Sequence, residues 1–193
     1  PVVERKGDRF VLNHNLPSSV GKVRAFYGNF AALVRAYAYI RSLGPSGLRR
    51  VAEVAVINAN YLMSQLKGHY HLPYDKFCKH ECVFSDARQI PHDVHTLDIA
   101  KRLMDYGFHP PTIYFPLIVR GALMIEPTET ESKETLDQFI AAMKKIAEEA
   151  EREPELVRSA PHKTKISRLD EVKAARQPNL RWKGKGPVEE SAR

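Results

Sequence analysis

The side chains best suited to chemistry fall in a few short stretches, the densest being Cys78-Lys79-His80-Glu81-Cys82. The spacing predicts a strand over 79–85. Alternation on such a strand would set Cys78, His80 and Cys82 on one face, a geometry open to thiolate–imidazole metal binding. Zinc knuckles, however, supply their ligands as two spaced pairs, and no second pair follows here. His69, His71, His92 and His95 could be recruited, but nothing in the spacing fixes them. Thiols packed as small hydrophobes are the better reading, and no metal is expected. A nucleophile–base–orienter trio of Cys82, His80 and Glu81 is also weak, because neighbours on a strand point to opposite faces.

Asp105-Tyr106-Gly107-Phe108-His109-Pro110-Pro111-Thr112 is the second stretch. A helix ends on glycine, and two prolines pin an aromatic and a histidine into one loop. Such a loop can carry a site. It can equally be a helix stop with an aromatic plug, His109 bonding a helix carbonyl. In Glu126-Pro127-Thr128-Glu129-Thr130-Glu131-Ser132, Thr128 and Glu131 fit a capping box for the helix that follows. That reading leaves only Glu126, at a strand end, without a structural reason. Asn58 and Asn60 lie inside a helical pattern that would favour other residues, and bonding to a neighbouring loop is their expected role.

These stretches must be positioned by ordinary elements. Residues 9–13 read as a short strand, and 30–43 as a largely buried helix rich in Ala, Leu, Val and Tyr. Gly44-Pro45 stops that helix, and a second runs from 46 to about 67. Further helices are expected over 96–106 and from Thr128 to near Pro154. A short strand begins at Thr112, limited by Pro116, and another covers 123–126. The fold class is α+β, a small, mostly antiparallel sheet covered by helices on one face. Residues 1–20 read as a connecting segment, 21–158 as the α+β domain, and 159–193 as a basic extended tail, disordered from about Lys183.

The chain has 193 residues, 43% hydrophobic and 27% charged, which suits a globular domain and excludes wholesale disorder. No apolar run approaches the roughly 18 residues of a membrane span. Two thiols without a framework fit a reducing cytoplasm or organelle matrix, and a cytoplasmic protein is the expectation. The start on proline, with no initiator methionine or signal-like segment, reads as a processed or truncated piece. The net charge of +7 is unevenly placed. Residues 158–193 hold ten basic and four acidic groups, against 20 and 19 in the rest. Nucleic-acid binding domains spread cations over a folded face with aromatics interleaved, so nucleic acid is an unlikely partner. The competing class is a non-catalytic interaction module whose basic arm binds nucleic acid or another polyanion.

Four motifs, in order, carry a family resemblance: Ile57-Asn58-Ala59-Asn60-Tyr61-Leu62, His80-Glu81, Asp98 through Thr112, and Met124 through Lys133. Together they resemble the C-terminal part of glycine dehydrogenase (decarboxylating), the P-protein of the glycine cleavage system. The run Arg24–Phe30 is closer to the second subunit of the two-subunit bacterial form. The resemblance covers roughly Gly21 to Trp182. It implies a pyridoxal 5'-phosphate enzyme of the aspartate-aminotransferase fold type (fold type I) and a large oligomer. Such an enzyme decarboxylates glycine and passes the aminomethyl group to the lipoyl group of H-protein. The upstream portion of the P-protein and the other subunit are further implied partners, and the basic tail is expected to steer H-protein.

The resemblance also implies that the Schiff-base lysine lies upstream, so no catalytic residue is expected in this segment and the chain alone should be inactive. His80, His109, Thr112, Glu126 and Thr128 stand in the matching motifs at element ends, which makes them the candidates for pocket lining or positioning. Lys163, next to His162, is a tempting Schiff-base residue but lies in a polar stretch far from the family's cofactor lysine. Cys82 and Phe84 replace other apolar residues of the family, and Asp86–His95 is longer and less glycine-like than usual.

Overall fold

The computed structural model describes residues 2–21 and 28–181. The disorder expected from Lys183 lies outside the described residues. The chain divides into two compact units, Pro1–Val51 and Ala52–Arg193.

In the first unit, β1 (Val2–Lys6) and β2 (Arg9–Asn13) form an antiparallel hairpin from Val2↔Asn13 to Lys6↔Arg9. Gly7 adopts the positive φ of 63° that the tight turn requires. The strand read at 9–13 is present, and the charged run before it supplies its partner. Helix α1 (Phe30–Leu66) opens with the Asn29 side chain accepting from the Ala32 amide at 3.2 Å. It breaks at Gly44 (φ 63°, ψ −178°), and Pro45 starts the second run, where a missing N–H leaves no bond unmade. The buried helix expected over 30–43 is not buried. Every residue from 30 to 42 is exposed, Phe30 at 79% and Tyr37 at 67%. Its apolar composition predicts a cover that no described residue provides.

In the second unit the end of α1 buries Ala59, Leu62, Met63 and Leu66. A three-stranded antiparallel sheet follows, ordered β3 (Cys82–Ser85), β5 (Ala122–Ile125), β4 (Thr112–Ile113). The pairs Cys82↔Ile125 and Phe84↔Leu123 are buried, whereas Val83↔Met124 is only half-buried. One face is therefore packed, as the alternation rule requires for a half-covered sheet. Against that face lie α2 (Thr96–Asp105) and α3 (Lys133–Arg152), with α4 (Pro154–Arg158) behind, and they contribute Ile99, Leu103, Ile140, Met143, Ile146 and Val157 to one core. Tyr70 is wholly buried, edge-on to Phe84, and its hydroxyl donates to the Met143 carbonyl at 2.8 Å. A short helix, α5 (Glu171–Arg176), closes the described chain.

Two expectations need correction. The strand read at 79–85 begins only at Cys82, because residues 78–81 are held in a loop described below. The cap of α3 is Ser132, whose hydroxyl oxygen accepts from the Thr135 amide at 3.1 Å. Thr128 instead closes a separate turn, its carbonyl accepting from the Glu131 amide at 3.2 Å. Either hydroxyl could cap by type, and the position of the turn decides between them.

Buried Asp86 ties the sheet to α2. Its carboxylate accepts from the backbone amide and the hydroxyl of Thr96, both at 2.9 Å, and Thr96 Oγ1 also lies 2.8 Å from the Gly121 carbonyl oxygen. Gly121 packs so closely that a Cβ there would sit 1.9 Å from Asp86 Oδ1, and its φ is +63°. Gly121→Ala should therefore cost at least about 2 kcal/mol of stability, through backbone strain and displacement of a buried carboxylate. Denaturant melts of the two proteins measure this, and equal midpoints would sink the argument.

Spacing of four and three puts Asp98, Arg102 and Asp105 on one side of α2. Arg102 forks onto Glu149 of α3 at 2.9 and 3.1 Å and reaches Asp105 at 3.0 Å, while the Tyr106 hydroxyl donates to Glu149 at 2.6 Å. Asp105 Oδ1 accepts the backbone amides of His162 and Lys163, each at 2.7 Å, and Arg168 donates to Asp98 at 2.6 Å. Residues 162–168, read from sequence as part of the tail, are thus strapped to α2.

Burial alone would raise the carboxyls of Glu149 and Asp105. For Glu149 the bonds from Arg102 and Tyr106 outweigh it, and for Asp105 those from Lys163, His162 and Arg102 do, so both are held below the usual carboxylate range. Depressed carboxyls stabilise fully above the unfolded value of roughly 4, and that stabilisation is lost as pH falls through the lower folded values. Urea midpoints should drop between pH 7 and pH 3, and less in Glu149→Gln/Asp105→Asn. An equal acid loss in that variant would assign the effect elsewhere.

Candidate functional site

The site is built on Asn58 and Asn60. Two residues apart on a helix, they point roughly 160° away from each other. Asn58 Nδ2 donates to the Thr128 carbonyl at 3.0 Å. Asn60 treats Cys78 as a strand partner would, donating to its carbonyl at 2.7 Å and accepting its amide at 3.1 Å. It also donates to Val56 of its own helix at 2.8 Å. One amide fixes the loop after β5, which carries Glu126, and the other fixes the loop before β3, which carries His80. The loop-bonding role read for these amides is the one observed.

The two loops meet. His80 Nε2 lies 3.9 Å from Glu126 Oε1 and 3.9 Å from Glu81 Oε2, and one ligand atom from each of these three residues falls within 4.8 Å of the others. Beside Glu126 opens a cleft of about 450 Å³ to which His109 and Thr112 also contribute. Its floor is apolar, with Leu62, Met124, Leu136 and an edge-to-face pair of Phe108 and Phe139, centroids 5.3 Å apart at 90°. Thr112 pairs directly with Met124 across the sheet.

The stop of α2 explains how Phe108 and His109 are aimed. Gly107 takes φ 84°, its amide bonding Met104 O at 3.0 Å while the Phe108 amide bonds Leu103 O at 3.2 Å. This is a Schellman stop, after which Pro110 and Pro111 carry the chain along the cleft wall. Phe108 is the expected aromatic plug and His109 lines the cleft, whereas the bond expected from His109 to a helix carbonyl is not made among the described residues.

Of the five sequence candidates, His109, Thr112 and Glu126 line the cleft. His80 joins them through Glu126, and Thr128 contributes the carbonyl that anchors the loop. All five are exposed. The sequence reading missed Phe139, Thr135 and Glu131, which also line the cleft. Their periodicity in and ahead of α3 marks a packing face but does not say which space it borders.

The remaining candidates separate from the site. Cys78 and His80 lie before β3, so they do not share a strand face with Cys82. Burial pushes the Cys82 thiol far up and raises Cys78 as well, which disfavours thiolate chemistry at either. Lys163 is exposed, and only its backbone amide is engaged, by Asp105.

Pyridoxal phosphate, implied by the sequence resemblance, needs a buried amine and a cationic or N–H-rich phosphate cup. No lysine or arginine lines the cleft among the described residues, and Glu126 and Glu131 make its rim acidic. The residues present do not fit the anchoring of that cofactor.

Fold and site together define a small α+β domain with an open, half-apolar cleft whose described lining offers no cofactor anchorage. Residues 51–166 match the family described as glycine dehydrogenase, C-terminal domain, and the chain belongs to that family. It is 59% identical over 182 residues to the probable glycine dehydrogenase (decarboxylating) subunit 2 of Listeria welshimeri, covering 94% of this chain and 37% of that protein. The protein of the same description from Bacillus cereus is 58% identical over 98% of this chain and 38% of its own length. The chain thus spans well under half of these relatives. A crystal structure of an inhibitor-bound glycine decarboxylase (P-protein) of the glycine cleavage system aligns over 56% of this chain and 24% of its own, with 23% identity and TM-score 0.46. No helix of the described residues is long and apolar enough to cross a membrane.

Asn60→Ala should free the 78–81 loop. Losing this paired contact should cost about 1–3 kcal/mol and speed alkylation of Cys78, now only partly exposed. Peptide mapping after timed iodoacetamide treatment reads the second effect, and an unchanged rate would show that the loop is held by other means.

Proposed function

We propose that this chain is the C-terminal portion of a cytoplasmic, pyridoxal-phosphate-dependent glycine decarboxylase. The complete enzyme would release CO₂ from glycine and hand the aminomethyl group to the lipoyl group of H-protein, with a second kind of subunit as partner. The observation that carries this reading is the 58–60% identity to glycine dehydrogenase subunit 2 proteins over 94% of the chain.

The cofactor's electron-sink chemistry would come from elsewhere in that enzyme. This chain's part is to complete one wall of the site. The Phe108–Phe139 floor would exclude water, His109 and Thr112 would offer polar contacts, and Glu126, steadied by His80, would present a carboxylate at the mouth. His80, Glu126, Phe108 and His109 lie on loops pinned by Asn58, Asn60 and the Gly107 stop, and Thr112 and Phe139 sit in β4 and α3, which limits their motion as a site requires.

The test is a chimaera in which these residues replace the matching segment of the Listeria welshimeri protein. With the partner subunit and lipoylated H-protein it should release labelled CO₂ from carboxyl-labelled glycine. Glu126→Gln should lower that rate by roughly tenfold or more if the carboxylate orients a reacting group. A folded chimaera without CO₂ release would overturn the proposal, and a fully active Glu126→Gln would remove Glu126 from it.

A further inference from the structure

The first run of α1 is hydrophobic on nearly its whole circumference. Between Phe30 and Ser42 only Arg35, Arg41 and Ser42 are polar. Phe30, Leu33, Val34, Tyr37 and Ile40 form a broad stripe, exposed between 48% and 79%. Tyr39, 48% exposed, and Ala32 and Ala36 lie on the other side. A surface helix carries a stripe about 100° wide, whereas one apolar all round is an interior helix. Water is a poor neighbour for so much contiguous apolar surface.

We infer that this helix is an interior element of a larger body, enclosed by polypeptide corresponding to the unmatched, greater part of the relatives' length. Two observations select that occupant. A second copy docked across a two-fold axis would cover one stripe and leave the opposite side wet, whereas the apolar surface here runs round both. The relatives also contain enough additional chain to surround it, since this chain spans only 37–38% of them. Arg35 and Ser42 share one narrow arc where an enclosing layer would leave a gap or a polar contact. Arg41 falls within the apolar stripe, three residues before the Gly44 break, and needs a polar partner in that layer. The inference concerns packing and stands whether or not the proposed reaction is correct.

Ala36, Tyr37 and Ala38 are successive, so at about 100° per residue they sample three sides of the helix. Ala36→Cys, Tyr37→Cys and Ala38→Cys are each introduced into the 193-residue chain and into the chimaera described above. Alkylation by iodoacetamide is timed at the new position by peptide mass. In the chain alone all three should react at the rate of an exposed thiol, and in the chimaera all three should slow at least a hundredfold. Slowing at Tyr37→Cys alone, increasing with the concentration of the isolated chain, would overturn the inference in favour of a second copy. Fast reaction at all three in a folded chimaera would overturn it in favour of a solvent-facing helix. Neither result depends on CO₂ release.

Discussion

The candidate site rests on two side-chain amides placed where a helix would rather not have them. Asparagine inside a helix costs a few tenths of a kcal/mol against alanine, and each satisfied hydrogen bond returns about 1 kcal/mol. Asn58 and Asn60 together make four such bonds, three of them part-buried and leading to loops and the fourth returning to Val56 of the same helix. Without Asn60 the Cys78 backbone groups would lose their partner, and the loop bearing His80 would lose its fixed distance from Glu126. Without Asn58 the turn after Glu126 would be tethered only by its own Thr128–Glu131 bond. One stretch of helix therefore sets the spacing between two loops that are 46 positions apart at His80 and Glu126.

The charge distribution takes on a different sense once partners are known. A tail rich in cations invites a polyanion as its target. Yet Arg158 is spent on Asp93 at 2.6 Å and Glu155 at 2.7 Å, and Arg168 on Asp98 at 2.6 Å. Such pairs near the surface contribute little individually. The Arg102–Glu149–Tyr106–Asp105 set differs because its members are largely removed from water and its hydrogen bonds are mutually complete. It ties α2, α3 and the strap at 162–163 into one polar joint, so that the helix whose end aims Phe108 and His109 cannot drift from α3, which supplies Phe139.

Much of this was legible in the residues. Gly107 as a helix stop, a short edge strand beginning at Thr112, the apolar period of α3 and the α+β class all follow from local rules that tertiary packing did not override. What failed were choices between equivalent local signals. Thr128 and Ser132 are both good caps, and the Asn58 bond that holds Thr128 in a turn comes from a residue 70 positions away. Residues 79–81 run directly into the apolar strand residues that follow, but Asn60 takes the Cys78 backbone groups for itself. The exposed helix over 30–42 is a different matter. Its sequence signals burial consistently, and the disagreement lies in what surrounds it.

That disagreement and the open cleft have the same physical form. The apolar helix that no described residue covers and the half-apolar cleft whose described lining holds no cation are, on the readings proposed above, each half of an interface. On the proposed reading, the five exposed candidate side chains are one wall of a shared site, whose polar groups would be buried against their targets once that site is complete. The cleft's rigidity belongs to this chain, through the amide clips, the Schellman stop and the Arg102 joint. Its chemistry does not, because no buried amine faces it among the described residues. A domain so arranged can shape, desolvate and orient what another body holds, and its carboxylate at Glu126 gains strength only when water is excluded by that body's approach.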